Sequence, residues 1–302
     1  MEYVIATTVS TDEVHLADGT VMDNQPGSAG FYAMAGVRVY TDQVAICGGI
    51  GPEYLPRHKQ WYEDNNLSVE GLVLRSEVSP TVVIHYFPDG SRIDEPNIGL
   101  KEFRALDPSV EEVFRCCDAN TKGVYVFKDL DRDYLDALIG GRLRYGYKLM
   151  WEISGDACKP ENIDIVESYL RDIDVFSINR EEAMLLYGTD DEAEAERRLM
   201  CSPNWVFFRR GSQGAHMLCN GKSYNCPSVK DCKVVDTTGG GNSSSGGVLY
   251  ACCEGYDPQM AGCMGSAAAA VIIGQFGVPA RFTEETSRQA LEKASALCPQ
   301  SD

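Results

Sequence analysis

Basic residues are scarce in this chain: 27 Lys and Arg stand against 45 Asp and Glu, a formal charge of −18 with a pI near 4.6. So acidic a surface offers no positive field to a nucleic-acid backbone or an anionic membrane, so neither is expected as a partner and a small molecule is. Histidine is scarcer still, with four scattered residues at no ligand spacing, which argues against a zinc site. No apolar run reaches membrane-spanning length without a charge or a turn; the longest, residues 262–276, is mostly Ala, Gly and Ile and reads as a buried helix. Twelve cysteines are present but lack CxxC spacing, the pairs Cys116-Cys117 and Cys252-Cys253 are adjacent, and no secretory leader is seen. Reduced thiols in a cytoplasmic protein are therefore expected. GxSxG and Cys/His/Asn hydrolase signatures are absent as well.

What is present is 302 residues, 44% hydrophobic, enough for one large α/β domain or two ordinary ones. The chain is organised around Val234-Val235-Asp236-Thr237-Thr238-Gly239-Gly240-Gly241-Asn242, followed by Ser243-Ser244-Ser245-Gly246-Gly247 and an apolar run. This pattern predicts a strand that ends, a bare-backbone turn and a helix that begins. Bare amides beside the positive end of a helix hold phosphate. Two other glycine-loop readings fail. A P-loop needs lysine where Gly247 stands, and a dinucleotide fingerprint needs glycine where Ser244 stands. A flexible linker is disfavoured by the apolar residues on both sides.

The stretch Asp236 to Asn242 resembles the DTxGAGD signature of the ribokinase/pfkB family of carbohydrate kinases. The resemblance implies an α/β fold, a three-layer, doubly wound, mostly parallel sheet with a small β lid, and a requirement for ATP and Mg²⁺. It also implies that Gly239, Gly240 and Gly241 form an anion hole for the transferring phosphate. The family closes this motif with an Asp that takes the proton of the substrate hydroxyl; here the residue is Asn242. An amide accepts no proton at neutral pH, and loss of a general base removes about 10²–10⁴-fold of rate. Phosphoryl transfer nevertheless rests mainly on positioning and charge stabilisation. Two readings stay open: a phosphotransferase acting on a hydroxyl of a sugar-like or nucleoside-like molecule, and a silent relative that binds sugar or nucleotide as a sensor or interaction subunit. Asp236, nearest acid in sequence to the altered position, corresponds to a family residue near the metal and phosphates.

Further matches run along the chain in the family's order. Residues 3–8 read as a first strand, and Asp12 beyond it occupies the place of the family's sugar-binding Asp; a plain turn Asp is the alternative. Residues 15–25 alternate around Asp18-Gly19 as a hairpin. Pro26 to Ala33 resembles the GGxxxNxA signature, with Gly27 kept and Phe31 where the family's sugar-contacting Asn stands, an aromatic able to stack on a substrate face. Residues 43–47 form the next strand, and 48–53 resemble a family turn. Strands at 71–75 and 81–87, ending in Pro88-Asp89-Gly90, complete a lid expected from about 13–26 and 70–97, through which homodimers form in the family. Residues 1–302 are expected to be a single domain. From residue 101 onward strands and helices alternate, as in a parallel sheet covered on both faces. Asn179 and Glu182 match the family's NxxE motif, which serves the metal through water, and equally fit a helix cap. Arg210, Gly211 and Gly214 resemble its nucleotide-phosphate turn, with Arg210 as a charged donor. Residues 258–275 read as the helix beside the adenine pocket.

Overall fold

The computed structural model describes residues 1–88 and 91–298. Thirteen strands are distinguished among them: β1 (Tyr3–Ala6), β2 (Ser10–His15), β3 (Val21–Gly27), β4 (Val44–Ile50), β5 (Leu72–Leu74), β6 (Thr81–Tyr86), β7 (Arg92–Pro96), β8 (Gly123–Lys128), β9 (Lys148–Ile153), β10 (Val175–Asn179), β11 (Trp205–Arg209), β12 (Ala215–Cys219) and β13 (Lys222–Cys226). Nine of them form one sheet in the order β13-β12-β11-β10-β9-β8-β1-β4-β5. From β11 across to β5 every pairing is parallel, whereas β12 and β13 close the edge as an antiparallel hairpin.

The parallel strands are buried on both faces, which is why β1 and β4 read as near-continuous apolar runs rather than alternating ones. Tyr3, Ile5, Ile46 and Tyr125 face one core, under helices Ala29–Arg38, Gly240–Cys253 and Pro258–Ile272. Val4, Ala6, Val126 and Trp151 face the other, under helices Arg132–Tyr145, Ile163–Tyr169 and Arg180–Tyr187. The result is the expected three-layer, mostly parallel α/β architecture, with the run at 262–276 lying largely inside a buried helix. All twelve cysteines are free thiols. Among the described residues no helix is long and apolar enough to cross a membrane.

A second sheet, β3-β2-β6-β7, stands over the C-terminal ends of the parallel strands as a lid. The hairpin around Asp18-Gly19 forms as expected, but β2 already begins at Ser10, so Asp12 is a buried strand residue instead of a turn residue. Leu72–Leu74, expected in the lid, pairs in parallel with β4 at the edge of the large sheet. Its Leu72 is needed by the core, which overrides its nearness in sequence to the lid strands. Gly48 and Gly49, expected in a turn, continue β4, and the chain leaves the sheet only at Gly51. Asp89 and Gly90 of the expected lid turn, and residues 299–302 of the expected single domain, lie outside the described residues.

No strand precedes the glycine turn. Val234 is exposed and Val235 is held by one backbone hydrogen bond, its N–H donating to the Ile273 carbonyl. With the sheet edge already closed by β13, two β-branched residues have no neighbour to pair with, and the approach is a loop.

Candidate active site

The loop from Asp236 to Gly239 is shaped by local bonds. One carboxylate oxygen of Asp236, Oδ1, accepts the Thr238 amide at 2.9 Å, and Oδ2 accepts the Gly277 amide at 3.4 Å. Asp236 is thus spent on holding the loop. Gly239 follows at φ +73° as the N-cap of helix Gly240–Cys253, and a Cβ at this position would sit 2.0 Å from the Tyr32 ring. Left-handed backbone and contact with an aromatic ring together admit only glycine. The small residues beyond it serve packing: a Cβ on Gly246 would meet the Ala33 carbonyl oxygen at 2.0 Å, so the helix crosses Ala29–Arg38 at backbone contact.

Beneath this helix start lies a cavity of about 530 Å³. Its floor is the row of residues at the C-terminal ends of the parallel strands, Thr7, Thr8, Lys128, Glu152, Asn179 and Arg209, the place where ligands bind in open α/β sheets. Gly239, Thr238 and Asn242 close one end. Asp12, Tyr32 and the lid residues Ile84 and Arg92 close the other, and the Tyr86 hydroxyl meets Thr238 Oγ1 at 2.7 Å, joining lid to loop.

Asp12 is 4% exposed, and its Oδ1 accepts the Ser10 hydroxyl at 2.7 Å. Burial pushes its pKa up to about 7, against the Ser10 hydrogen bond, which opposes the shift. Gly27 is pressed against it: a Cβ there would lie 1.9 Å from Asp12 Oδ2. Gly27 therefore makes room for the carboxylate and is not on the cavity wall. Phe31 does not reach the cavity. It is fully buried on helix Ala29–Arg38, against Trp61 and Tyr62, because that helix is buried on nearly every side. Its neighbour Tyr32 lines the cavity, with a hydroxyl that has no protein partner.

Asn242 is where the sequence reading was sharpest and least complete. Its Nδ2 donates to Glu152 Oε1 at 2.8 Å. Glu152, 1% exposed, also binds Arg209 Nη2 at 2.9 Å and accepts the Tyr125 hydroxyl on Oε2 at 2.9 Å. Arg209 further reaches Glu182 at 3.6 Å, and its Nε has no partner. Burial works against the Arg209 charge, but Glu152 and Glu182 outweigh it and hold the guanidinium above its ordinary pKa. A permanently charged donor with an unused N–H therefore sits under the glycine turn, and a Cβ on Gly241 would come within 2.6 Å of its Nη1.

Neither Glu152 nor Arg209 was singled out from sequence. Arg209 could have been, since it stands two residues before Gly211, where the resembled turn has Thr or Lys. Arg210, chosen instead, turns away: its Nε binds Glu192 and its Nη1 meets His216 Nε2 at 3.0 Å. Arg210 lies one residue past the end of β11, and its side chain is held by Glu192 of helix Glu192–Leu199 and by His216 of β12 instead of reaching the cavity. Gly211 and Gly214, both at positive φ, shape the tight turn after β11 and do not line the cavity; neither do Gly240 and Gly241.

Asn179 and Glu182 form a reciprocal capping box, with both N–H···O bonds at 2.8 Å, and both line the cavity. Burial raises the Glu182 pKa, and Arg209 opposes the rise. No group of three or more His, Cys, Asp or Glu able to enclose a metal exists among the described residues. An ion held directly by many protein ligands does not fit, whereas Mg²⁺, which keeps most of its waters, fits beside a single carboxylate such as Glu182.

Residues 156–284 match the model of the pfkB family carbohydrate kinases. That match covers less than half of the chain. An uncharacterized sugar kinase of Archaeoglobus fulgidus is 31% identical over 112 residues, 37% of this chain and 44% of that protein. The chain spans under half the length of the first curated relatives it matches. The fold extends further than the sequence likeness. A Burkholderia thailandensis nucleoside kinase solved with inosine superposes with a TM-score of 0.73 over 99% of both chains, at 17% identity. A putative ribokinase II of E. coli, solved with ATP and Mg²⁺, gives 0.73 over 95% of this chain and 98% of its own, at 18% identity. At such identities the likeness is one of fold.

Proposed function

We propose that the chain is a ribokinase-like phosphotransferase that moves the γ-phosphate of ATP to a hydroxyl of a sugar-like or nucleoside-like molecule. The observation that carries this reading is the continuous cavity: a glycine-capped helix start, Arg209 and Asn242 at one end, and the buried carboxyl of Asp12 at the other, under a lid. The helix N-terminus and Arg209 bind the phosphate and stabilise its charge in transfer. Asp12 accepts hydrogen bonds from acceptor hydroxyls, and Tyr32 offers its unpaired O–H to the same molecule. Asn179 and Glu182 would hold Mg²⁺ through its waters, and the ion would supply neutralisation of phosphate charge. The lid excludes water from the transfer.

The reading is tested by ADP formation from Mg-ATP with pooled sugars, polyols and nucleosides. ADP that appears only with one pool supports it and leads to the acceptor by dividing that pool. Silence with every pool, together with Mg-ATP binding by calorimetry, supports the second reading, a non-catalytic sugar or nucleotide sensor. That alternative is favoured by the amide at position 242.

A further inference from the structure

Position 242 carries an amide, yet the cavity wall beside it is not without a carboxylate. Glu152 lies one hydrogen bond away, at 2.8 Å from Asn242 Nδ2, at the end of the adjoining strand β9. A carboxylate accepts at about four lone-pair sites. Arg209 and Asn242 take Oε1, and Tyr125 takes one site on Oε2, leaving one. The side chain is therefore fixed on three sides and open on one, and it borders the same cavity as Asn242 and Gly239. Asp12, the other buried carboxyl of the cavity, is bound on the lid side to Ser10 and backed by Gly27, with no bond to the phosphate end.

Asn242 in turn is explained by Glu152. An aspartate at 242 would set two carboxylates at hydrogen-bonding distance with one arginine between them, whereas an asparagine supplies a donor. The acid and its position have been exchanged: the carboxylate stands on β9 and the donor on the helix.

We propose that Glu152 is the proton acceptor of this site and that Asn242 is its positioning residue. The inference rests on the phosphotransfer reading above. In the step, an acceptor hydroxyl oxygen forms a bond to the γ-phosphorus and its proton passes to the free Oε2 site of Glu152. The bond from the γ-phosphorus to the bridging oxygen breaks, and its electron pair leaves on ADP. In a loose transition state the new bond is short of complete when the old one breaks, so the hydroxyl proton departs late and a modest acceptor suffices.

The test compares four chains: natural, Glu152→Gln, Asn242→Asp, and the double exchange Glu152→Gln/Asn242→Asp. ADP formation is measured from Mg-ATP with the pooled acceptors, beside melting temperature and calorimetric Mg-ATP affinity. Glu152→Gln is expected to lose about 10²–10⁴-fold of rate, as on removal of a general base, while keeping its Mg-ATP affinity. The double exchange, which keeps the net charge and returns an acid to the helix, is expected to recover at least about tenfold of that loss. Asn242→Asp alone is expected to melt lower than the double exchange. Equal rates in natural and Glu152→Gln chains overturn the inference and leave the kinase reading standing. A silent natural chain with an active double exchange overturns the inference and the kinase reading alike, and moves the chain to the non-catalytic reading. A loss in Glu152→Gln accompanied by weakened Mg-ATP binding, or unrelieved by the exchange, makes Glu152 only the counter-ion of Arg209 and overturns it. Silence in all four chains overturns both readings together.

Discussion

Gly239 is the residue whose replacement has the most direct consequence. Alanine there meets the Tyr32 ring at 2.0 Å in a left-handed backbone. The conformation alone costs about 1–2 kcal/mol, and the clash displaces either the loop or the ring. Gly239→Ala is expected to lower unfolding free energy by at least that amount in denaturant titration and to abolish calorimetric Mg-ATP binding. Asp12 gives a pH signature. Its folded pKa, about 7, lies above the ordinary carboxyl value of 3.8, so the folded state holds the proton more tightly. The stability this brings is complete below pH 4 and is lost as pH rises through 7, by up to about 4 kcal/mol. Asp12→Asn is expected to flatten that part of the curve and to exceed the natural chain in stability at pH 8, measured by denaturation at pH 5 and pH 8. Gly239, Asn242 and Asp12 were legible because each sits in a local pattern of letters. Glu152 was not: it belongs to no motif, and its meaning arises only when β9, β11 and the helix Gly240–Cys253 bring it against Arg209 and Asn242.

Among elements, those with strong internal patterns were read correctly from the chain. The helix starting at Asn179 shows its capping box in four letters, and Trp205–Arg209 is an apolar run bounded by charge. The failures share a cause, which is that a strand exists only if a neighbour pairs with it. Val234-Val235 has strand-forming residues and no partner, while Leu72–Leu74 finds one in β4 rather than in the lid. Helix Ala29–Arg38 shows the same effect on a side chain. Its sequence suggested Phe31 at the substrate, but the helix passes under Gly240–Cys253 and turns Phe31 into the aromatic cluster with Trp61 and Tyr62. Phe31→Ala is therefore expected to cost about 3–5 kcal/mol of stability, as large-to-small changes of buried Phe do, and to leave Mg-ATP affinity within about threefold under conditions where the variant is folded. A substrate-stacking Phe31 would give the reverse: little change in melting and a loss of acceptor binding.

At the scale of the whole molecule the alternation of strands and helices fixed the layered sheet, and composition fixed the sign of its field. With 45 acidic and 27 basic residues, pairing every Lys and Arg still leaves 18 unmatched negative charges. Such an excess acts against the compact state through self-repulsion. Salt has two opposed effects here. It weakens surface ion pairs such as Lys59–Glu63 and Arg288–Glu292, which are exposed and contribute little, and it screens the long-range repulsion of the excess. The second effect prevails because repulsion among unmatched charges acts over distances that only salt shortens, from about 30 Å at 0.01 M to about 8 Å at 0.15 M. Melting temperature at pH 8 is therefore expected to rise across that interval by about 2–4 °C, equivalent to about 1 kcal/mol. Repeated near pH 4.6, where the net charge vanishes, the same increase in salt should leave melting unchanged or lower it, since only the ion pairs remain to be screened. A rise of equal size at both pH values would mean that the salt acts by some route other than charge. Asp12 titrates between the two conditions but does so at every salt concentration, so comparing the salt increments rather than the melting temperatures separates the field of the molecule from the proton of one residue.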